Sequence, residues 1–284
     1  MGQIIDGKQI SATVRSEVAK EIKKLNDKGV TVTLAVVLVG DDPASQIYVR
    51  NKEKACADVG IVSQKYLLSA QTSQKELLDL IATLNHDKTV NGILVQMPLP
   101  KGLDEKAVIA AICPEKDVDA FHPVNVGKIM IGDYDFLPCT PAGVMELIHS
   151  TGVCVEGKDC VVIGRSNIVG KPMSMLLLHE SATVTICHSR TKNLKQVCAG
   201  ADLIVSAVGK AGLVTADMVK DGAVVIDVGM NRDQDGKLCG DVCFDEVAPK
   251  TSFITPVPGG VGPMTIAMLM KNTLTAACLQ NGIC

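Results

Sequence analysis

The stretch Lys158–Pro172, KDCVVIGRSNIVGKP, decides how this chain is read. Cys160–Ile163 is a short apolar run rich in β-branched residues. A loop follows with Gly164 and Gly170, and Pro172 suits the first turn of a helix. A buried strand that passes through a tight glycine turn into a helix N-terminus is how doubly wound folds aim backbone N–H groups at a pyrophosphate. The usual G-x-G-x-x-G is not present, because Ser166 stands where the second glycine would be. The spacing alone leaves nucleotide binding and a plain strand–helix turn both open.

The residues beyond the loop favour the nucleotide. A site for NAD ends its second strand in Asp or Glu, which bonds the ribose 2′-hydroxyl. Here the run ATVTIC (182–187) leads into His188-Ser189-Arg190, a hydroxyl and a cation with no carboxylate, and Arg165 lies inside the glycine loop. That set suits a 2′-phosphate, which a carboxylate would repel. The competing reading makes Arg190 a solvated loop residue. Ser206-Ala207-Val208-Gly209 and Asp227-Val228-Gly229 put little bulk at two strand tips, as a dinucleotide needs and as ordinary turns also allow.

At 284 residues the chain has room for one large domain or two ordinary ones. A hydrophobic share of 47% with 21% charged residues reads as a compact globule, and with no Trp and 2% aromatics its core is aliphatic. The net charge of −3 and the scarcity of aromatics argue against nucleic acid, which wants a basic stripe or stacking platforms. No apolar run approaches the roughly 18 to 20 residues of a membrane span. No signal-peptide core precedes Asp6, and the Met-Gly start carries Asp6 where a myristoylation signal wants Ser or Thr. The expectation is a cytoplasmic protein with no membrane partner. Eleven cysteines without a C-x-x-C read as reduced thiols used as small hydrophobes, and no histidine accompanies Cys239 and Cys243. No metal is expected.

Along the chain, Ile10, Val14, Val18, Ile22 and Leu25 form one helical stripe over 7–28, with Gly29 as its stop. TVTLAVVLVG (31–40) is a strand buried on both faces. Asp42 and Pro43 then start a helix that runs to Val59 and ends at Gly60. A strand over 61–68 precedes the capping box Ser73/Glu76 and a helix to about Asn85. GILVQ (92–96) is a third strand, stopped by Pro98 and Pro100, and a short helix covers 104–112. Residues 113–139 lack periodicity and read as a site loop or linker. Thr140-Pro141 caps a helix ending near Gly152. Strands come next at 160–163, 182–187, 202–206, 223–228 and 252–255, with helices near 170–180, 192–199, 215–220 and 263–280. This alternation predicts mainly parallel sheets with ligands at the strand C-terminal ends.

Chemistry in the first block centres on Tyr48 and Lys52, four residues apart and so on one helix face. Gln96 closes the third strand, and Asp117 and Asp119 open the irregular segment, all at the ligand-binding edge. A lysine in such company is a candidate for acid–base work, where alone it would be a solvated surface residue. The segment ITPVPGGVGP (254–263) reads as a rigid loop that lets backbone approach a ligand, or as a plain interdomain turn.

The combination resembles the bifunctional methylenetetrahydrofolate dehydrogenase/methenyltetrahydrofolate cyclohydrolase family. The segments that carry the resemblance are VGDDPASQIYVRNKEKAC (39–56), GILVQMPLP (92–100), KDVDAFHPVN (116–125), PCTPAGV (138–144), VVIGRSNIVGKP (161–172), CHSRT (187–191) and TPVPGGVGPMT (255–265). The resemblance implies a two-domain α/β enzyme: an N-terminal α/β folate domain, 1–139 plus 265–284, and a Rossmann-like domain, 140–264, with a cleft between them. It implies NADP as cofactor, a folate substrate and a homodimer. By matching position, Tyr48, Lys52, Gln96 and Asp119 are the catalytic and pterin-holding groups, with Val95 and Met97 beside the substrate and Pro258, Gly259 and Gly260 walling the folate. Gly164, Arg165, Ser166, Ser189 and Met230 hold the cofactor. Two positions depart from the pattern: Ala120 replaces the common Gly, and Cys243 replaces an acidic residue. A dehydrogenase that has lost the hydrolase, and a non-catalytic dinucleotide-binding redox module, are the rival readings.

Overall fold

The computed structural model describes residues 2–283, so Met1, part of the myristoylation test, and Cys284, the eleventh cysteine, lie outside the described residues. The elements run β1 (Gln3–Ile4), α1 (Gly7–Asp27), β2 (Thr33–Val39), α2 (Pro43–Val59), β3 (Val62–Leu68), α3 (Gln74–His86), β4 (Gly92–Val95), α4 (Glu105–Ala111), α5 (Pro123–Ile131) and α6 (Cys139–Ser150). They continue with β5 (Asp159–Ile163), α7 (Gly170–His179), β6 (Thr183–Cys187), α8 (Leu194–Ala199), β7 (Leu203–Ser206), β8 (Val224–Asp227), β9 (Asn231–Arg232), β10 (Leu238–Cys239), α9 (Phe244–Val247), β11 (Phe253–Ile254) and α10 (Val261–Asn281).

Two compact units result. One comprises the chain up to Ala12 with Pro138–Thr265; the other comprises Thr13–Leu137 with the chain from Ile266 onward. The sequence-based division at 139/140 and 264/265 differs from this chiefly at the first residues, because β1 pairs with β11 in the sheet of the first unit.

In the second unit three parallel strands lie in the order β3-β2-β4. All seven residues of β2 are buried, which is why that strand reads as one unbroken β-branched run. Ala35, Val37 and Val39 of β2 pack with Ile93 and Val95 of β4 and with Leu77, Ile81 and Leu84 of α3. The helix signals act as expected. Asp42 accepts from the Ser45 N–H at 2.7 Å, Pro43 opens α2, and Gly60 closes it in the left-handed region at φ 88°. The Ser73/Glu76 capping box is formed at α3.

In the first unit six strands, all parallel, lie in the order β1-β11-β8-β7-β5-β6. Its core joins Val161 and Ile163 of β5, Ile204 of β7 and Val225 of β8 to Cys187, Cys198 and Val214. The order places β6 and β7 on opposite sides of β5, so the chain direction across the sheet reverses between β5 and β7. Likewise β3 and β4 flank β2. Open α/β sheets bind ligands at such reversal points, beyond the carboxyl ends of the strands.

Several expectations are corrected. Residues 113–139 are not structureless: Pro114–Lys116 forms a 3-10 turn and α5 comes after it, capped by the His122 side chain and ended by Gly132 at φ 82°. The helix escapes a periodicity reading because Val124, Val126, Met130 and Ile131 are exposed while Asn125 is buried. Helix α6 begins at Cys139 with Pro138 at its cap and no side-chain cap bond; Thr140 lies inside it and meets the Thr265 hydroxyl at 3.0 Å. The helix expected over 215–220 is only a 3-10 turn, Ala216–Met218. Helix α10 starts at Val261, inside the segment that reads as loop.

Two glycines illustrate opposite demands. A Cβ at Gly170 would lie 2.3 Å from the Gly164 carbonyl oxygen, backbone against backbone. Gly170→Ala is expected to lower the unfolding free energy by about 1–3 kcal/mol through overpacking. Gly127, inside α5, has nothing within 4 Å of its Cβ position, so Gly127→Ala is expected to raise stability by roughly 0.5–1 kcal/mol. Urea denaturation of both variants checks the pair.

Candidate active site

At the reversal point of the three-stranded sheet, Gln96 directly follows β4 and its N–H donates to the Val37 carbonyl at 2.9 Å, extending the ladder. Its side chain is held from both sides. The Lys52 Nζ of α2 donates to Gln96 Oε1 at 2.9 Å, and Gln96 Nε2 donates to the Met97 carbonyl at 2.7 Å. Tyr48, one turn before Lys52, is 38% exposed. Val95 is buried in the core under the sheet, so it has backbone rather than side chain to offer a substrate.

Asp119 is half-buried and comes from a braced segment. Asp117 bridges Ile93 of β4 in parallel fashion. Its carboxylate accepts from the His122 N–H at 2.8 Å and from Asn125 Nδ2 at 2.9 Å. Asn272 of α10 donates to the carbonyls of Val118 and Leu137, each at 2.8 Å. Burial pushes the Asp117 carboxyl above the ordinary carboxylate range, against these donors. The structure thus joins Lys52, Gln96 and Met97 directly, with Tyr48 on the same helix as Lys52. It runs the segment before Asp119 alongside β4. Ala120 holds a left-handed conformation, φ 57°, and is fully buried.

At the reversal point of the six-stranded sheet, Gly164 ends β5 at φ 130°, and a Cβ there would lie 2.5 Å from the Ala207 carbonyl oxygen. Its N–H donates to the Cys187 carbonyl at 2.8 Å, tying the turn after β5 to the turn after β6. Arg165, Ser166, Ser189 and Arg190 are exposed on those turns. The Ser166 Oγ accepts from the N–H groups of Val169 at 3.1 Å and Gly170 at 3.3 Å, so Ser166 shapes the entry to α7. His188 Nδ1 accepts from the Arg190 N–H at 3.1 Å, folding that turn.

In the same unit a pocket of about 170 Å³ brings Met230 together with Pro258, Gly259 and Gly260, and adds Lys8 and Asp227. Lys8 escapes a sequence reading because it sits on an exposed turn of α1, where any lysine looks solvated. Asp227 reads only as part of a small-residue strand tip, yet it is 3% exposed. Its oxygens accept from the N–H groups of Gly229, Asp241 and Val242, each at 2.9 Å. The core thiols beside the sheets behave as small hydrophobes: burial pushes Cys56, Cys160 and Cys198 up to about 12. Among the described residues no cluster of His, Cys, Asp and Glu fits a metal ion, and no helix is long and apolar enough to cross a membrane.

A glycine turn at the reversal point of one parallel sheet, and a lysine–amide pair at that of another, define a two-unit α/β enzyme that works with a dinucleotide. Residues 138–281 match the family model for the tetrahydrofolate dehydrogenase/cyclohydrolase NAD(P)-binding domain, and residues 5–119 match that for the catalytic domain of the same enzymes. The chain belongs to the tetrahydrofolate dehydrogenase/cyclohydrolase family. It is 62% identical to the bifunctional protein FolD of Campylobacter concisus over 275 residues, 97% of each chain. Among solved structures it is similar to the bifunctional FolD methylenetetrahydrofolate dehydrogenase/cyclohydrolase of Campylobacter jejuni, at TM-score 0.96 and 52% identity, covering 98% of this chain and 99% of that one. It is also similar to the methylenetetrahydrofolate dehydrogenase-cyclohydrolase of Trypanosoma brucei, solved with NADP cofactor and inhibitor, at TM-score 0.93 and 41% identity over 97% of each chain.

Asp227 carries a pH signature. Burial, its first cause, raises the carboxyl from 3.8 to about 6 although three N–H donors hold it down. The folded state therefore binds this proton more tightly than the unfolded one. The corresponding stability is fully present below pH 3.8 and is lost as pH rises through about 6. Asp227→Asn is expected to flatten the stability profile across that window relative to the wild type. Urea unfolding at a series of pH values from about 4 to about 7 checks it, and parallel profiles would contradict it.

Proposed function

We propose that Lys52, oriented by Gln96, is the acid–base group of the hydrolytic half of this enzyme, and that the turns after β5 and β6 read the cofactor's 2′-phosphate. The chain is a bifunctional enzyme: it oxidises methylenetetrahydrofolate with NADP and hydrolyses the methenyl product to formyltetrahydrofolate. The observation that carries the assignment is the 2.9 Å bond from Lys52 Nζ to Gln96 Oε1 at the reversal point of the three-stranded sheet.

The residues fit NADP. Gly164 and Gly170 let the turn after β5 close backbone against backbone, as the tight entry to a dinucleotide-binding helix requires, and Arg165, Ser189 and Arg190 are exposed on the turns after β5 and β6, which carry no carboxylate to repel a 2′-phosphate. NADP, when bound, supplies the hydride acceptor. For that half the protein's contribution is positioning, since the folate nitrogen lone pair stabilises the cation formed. Gly164, Arg165, Ser166, Ser189 and Met230 hold the cofactor. Tyr48, Gln96, Asp119, Met97 and the Val95 backbone hold the folate.

Hydrolysis makes different demands. Water attacks the methenyl carbon and loses one proton; the resulting hydroxyl loses its proton as the formyl C=O forms, and a folate ring nitrogen gains one proton as its bond to that carbon breaks, so the net reaction releases one proton. A positioned acid–base group contributes about 10²–10⁴-fold to such steps. Lys52 is the group placed to relay these protons, with Gln96 fixing its Nζ. A dehydrogenase alone does not require that pair, which favours the two-activity reading over the dehydrogenase-only one.

The reading also includes a homodimer in the cytoplasm, with no membrane or nucleic-acid partner. The dimer is supported by the outer edge of β6, which pairs with no other strand among the described residues; Ile186 is exposed on it and Leu178 of α7 is exposed in the same unit. A monomer mass by light scattering at micromolar concentration would count against it.

Lys52→Met is expected to abolish methenyltetrahydrofolate hydrolysis while leaving dehydrogenase turnover measurable, so that methenyltetrahydrofolate accumulates in an absorbance assay. Hydrolysis at the wild-type rate would make Lys52 a bystander. Arg165→Ala is expected to cut the preference for NADP over NAD by about ten- to a hundredfold, the worth of one charge-assisted contact. An unchanged ratio of specificity constants would remove Arg165 from the 2′-phosphate.

A further inference from the structure

Asp241 follows β10, is fully buried, and lies in the unit of the six-stranded sheet. Its carboxylate bonds reach into neighbouring loops. The Oδ2 accepts from the Ser206 hydroxyl at 3.0 Å and the Val208 N–H at 2.9 Å. The Oδ1 accepts from the Lys210 N–H at 2.8 Å and from Asn231 Nδ2 at 3.0 Å. The loop after β7 is therefore wrapped around one carboxylate, with Gly209 at φ 65° between the two donating N–H groups.

That carboxylate is fixed in turn by Asp227, whose Oδ1 takes the Asp241 N–H and the Gly229 N–H and whose Oδ2 takes the Val242 N–H. The fit leaves no slack. A Cβ at Gly229 would lie 2.3 Å from Asp241 Oδ1, and one at Gly240 would lie 1.8 Å from Asp227 Oδ2. A buried carboxylate needs its full set of donors, so the loops and the carboxylates define each other's positions.

The bound loops are those beside the cofactor residues. Ala207, inside the wrapped loop, presents the carbonyl against which Gly164 turns. Gly229 and Asn231 flank Met230 on either side. We propose that Asp241 is a positioning residue of the dehydrogenase: it sets the loops after β7 and β8 in the shape that receives NADP, and so governs cofactor binding without touching the reacting atoms. This rests on the reading that Gly164 and Met230 belong to the NADP site.

Hydrolysis of methenyltetrahydrofolate consumes water and no dinucleotide, so one enzyme carries an internal control. Asp241→Asn keeps the side-chain volume but turns one acceptor into a donor facing two others, which forces a loop to move. The expected result is a rise of about tenfold or more in the KM for NADP and in its Kd by calorimetry, with kcat and KM for methenyltetrahydrofolate hydrolysis within about twofold of wild type. Ser206→Ala, which removes a single donor, is the milder variant should Asp241→Asn fail to fold, and a rise of roughly threefold is expected for it. An unchanged KM for NADP in the folded variants overturns the proposal, as does a parallel fall of both activities. Arg165→Ala, measured alongside, separates the two readings. If it raises the KM for NADP while Asp241→Asn does not, only this inference fails; if neither does, the cofactor-site reading fails with it.

Discussion

The constraint on which the rest of this structure depends is that its central sheet strands are buried on both faces and closed to polar chemistry short of their ends. Every residue of β2, β4, β7 and β8 is buried, as are the last four of β5. A parallel ladder covered on both faces satisfies its own backbone groups and has no room for an unpaired charge. Polar function is therefore displaced to the strand ends. There the ladder stops, and the next backbone donors and acceptors need partners. In both sheets the displaced groups collect where the strand order reverses, because that is where two neighbouring chain segments leave in opposite directions and open a crevice.

The strand ends use one device repeatedly. A carboxylate is buried beneath a loop and filled with N–H donors from that loop. Asp117 does this for the segment that carries Asp119, Asp227 for residues 229 and 241–242, and Asp241 for residues 206–210. An ion pair would supply attraction but little direction, whereas two carboxylate oxygens with backbone partners fix a loop in several directions at once. The cost is desolvation, seen in the upward displacement of the Asp117 and Asp227 carboxyls. Turns that must meet a ligand need that rigidity, since ordering them at each binding event would subtract from affinity.

How much of this is legible in the sequence depends on the range of each interaction. The helix α1 stripe, the buried run of β2, the Asp42–Pro43 start and the Ser73/Glu76 box are local, and each is formed. Helix α5 is illegible because its exposed side is apolar, which erases the polar–apolar contrast that marks a surface helix. The two-residue strands β1, β9 and β10 are too short to show alternation and exist only through their partners. Of the site, the glycine turn, Tyr48, Lys52 and Gln96 are readable by spacing and position at strand ends. Asp241 is not: Gly-Asp-Val looks like any turn, and its four donors come from 10 to 35 residues away.

Ala120 shows how such bracing is used. An alanine in the left-handed region costs roughly 1–2 kcal/mol, while burying its methyl group returns only about 0.8 kcal/mol. Left to itself, the segment would relax. It is held from both sides: the Ala120 N–H donates to the Asp117 carbonyl at 3.1 Å, and Asn272 grips the Val118 carbonyl. The Asp117 carboxylate meanwhile anchors His122 and Asn125 beyond it. A glycine would adopt the same conformation without strain but would leave the flanking residue freer in the unfolded and folded chain alike. The strained alanine, enclosed by these anchors, leaves Asp119 a single backbone path. The stabilising contacts around the sheet ends thus go into local geometry, and the residue that gains from it is the half-buried carboxylate next door.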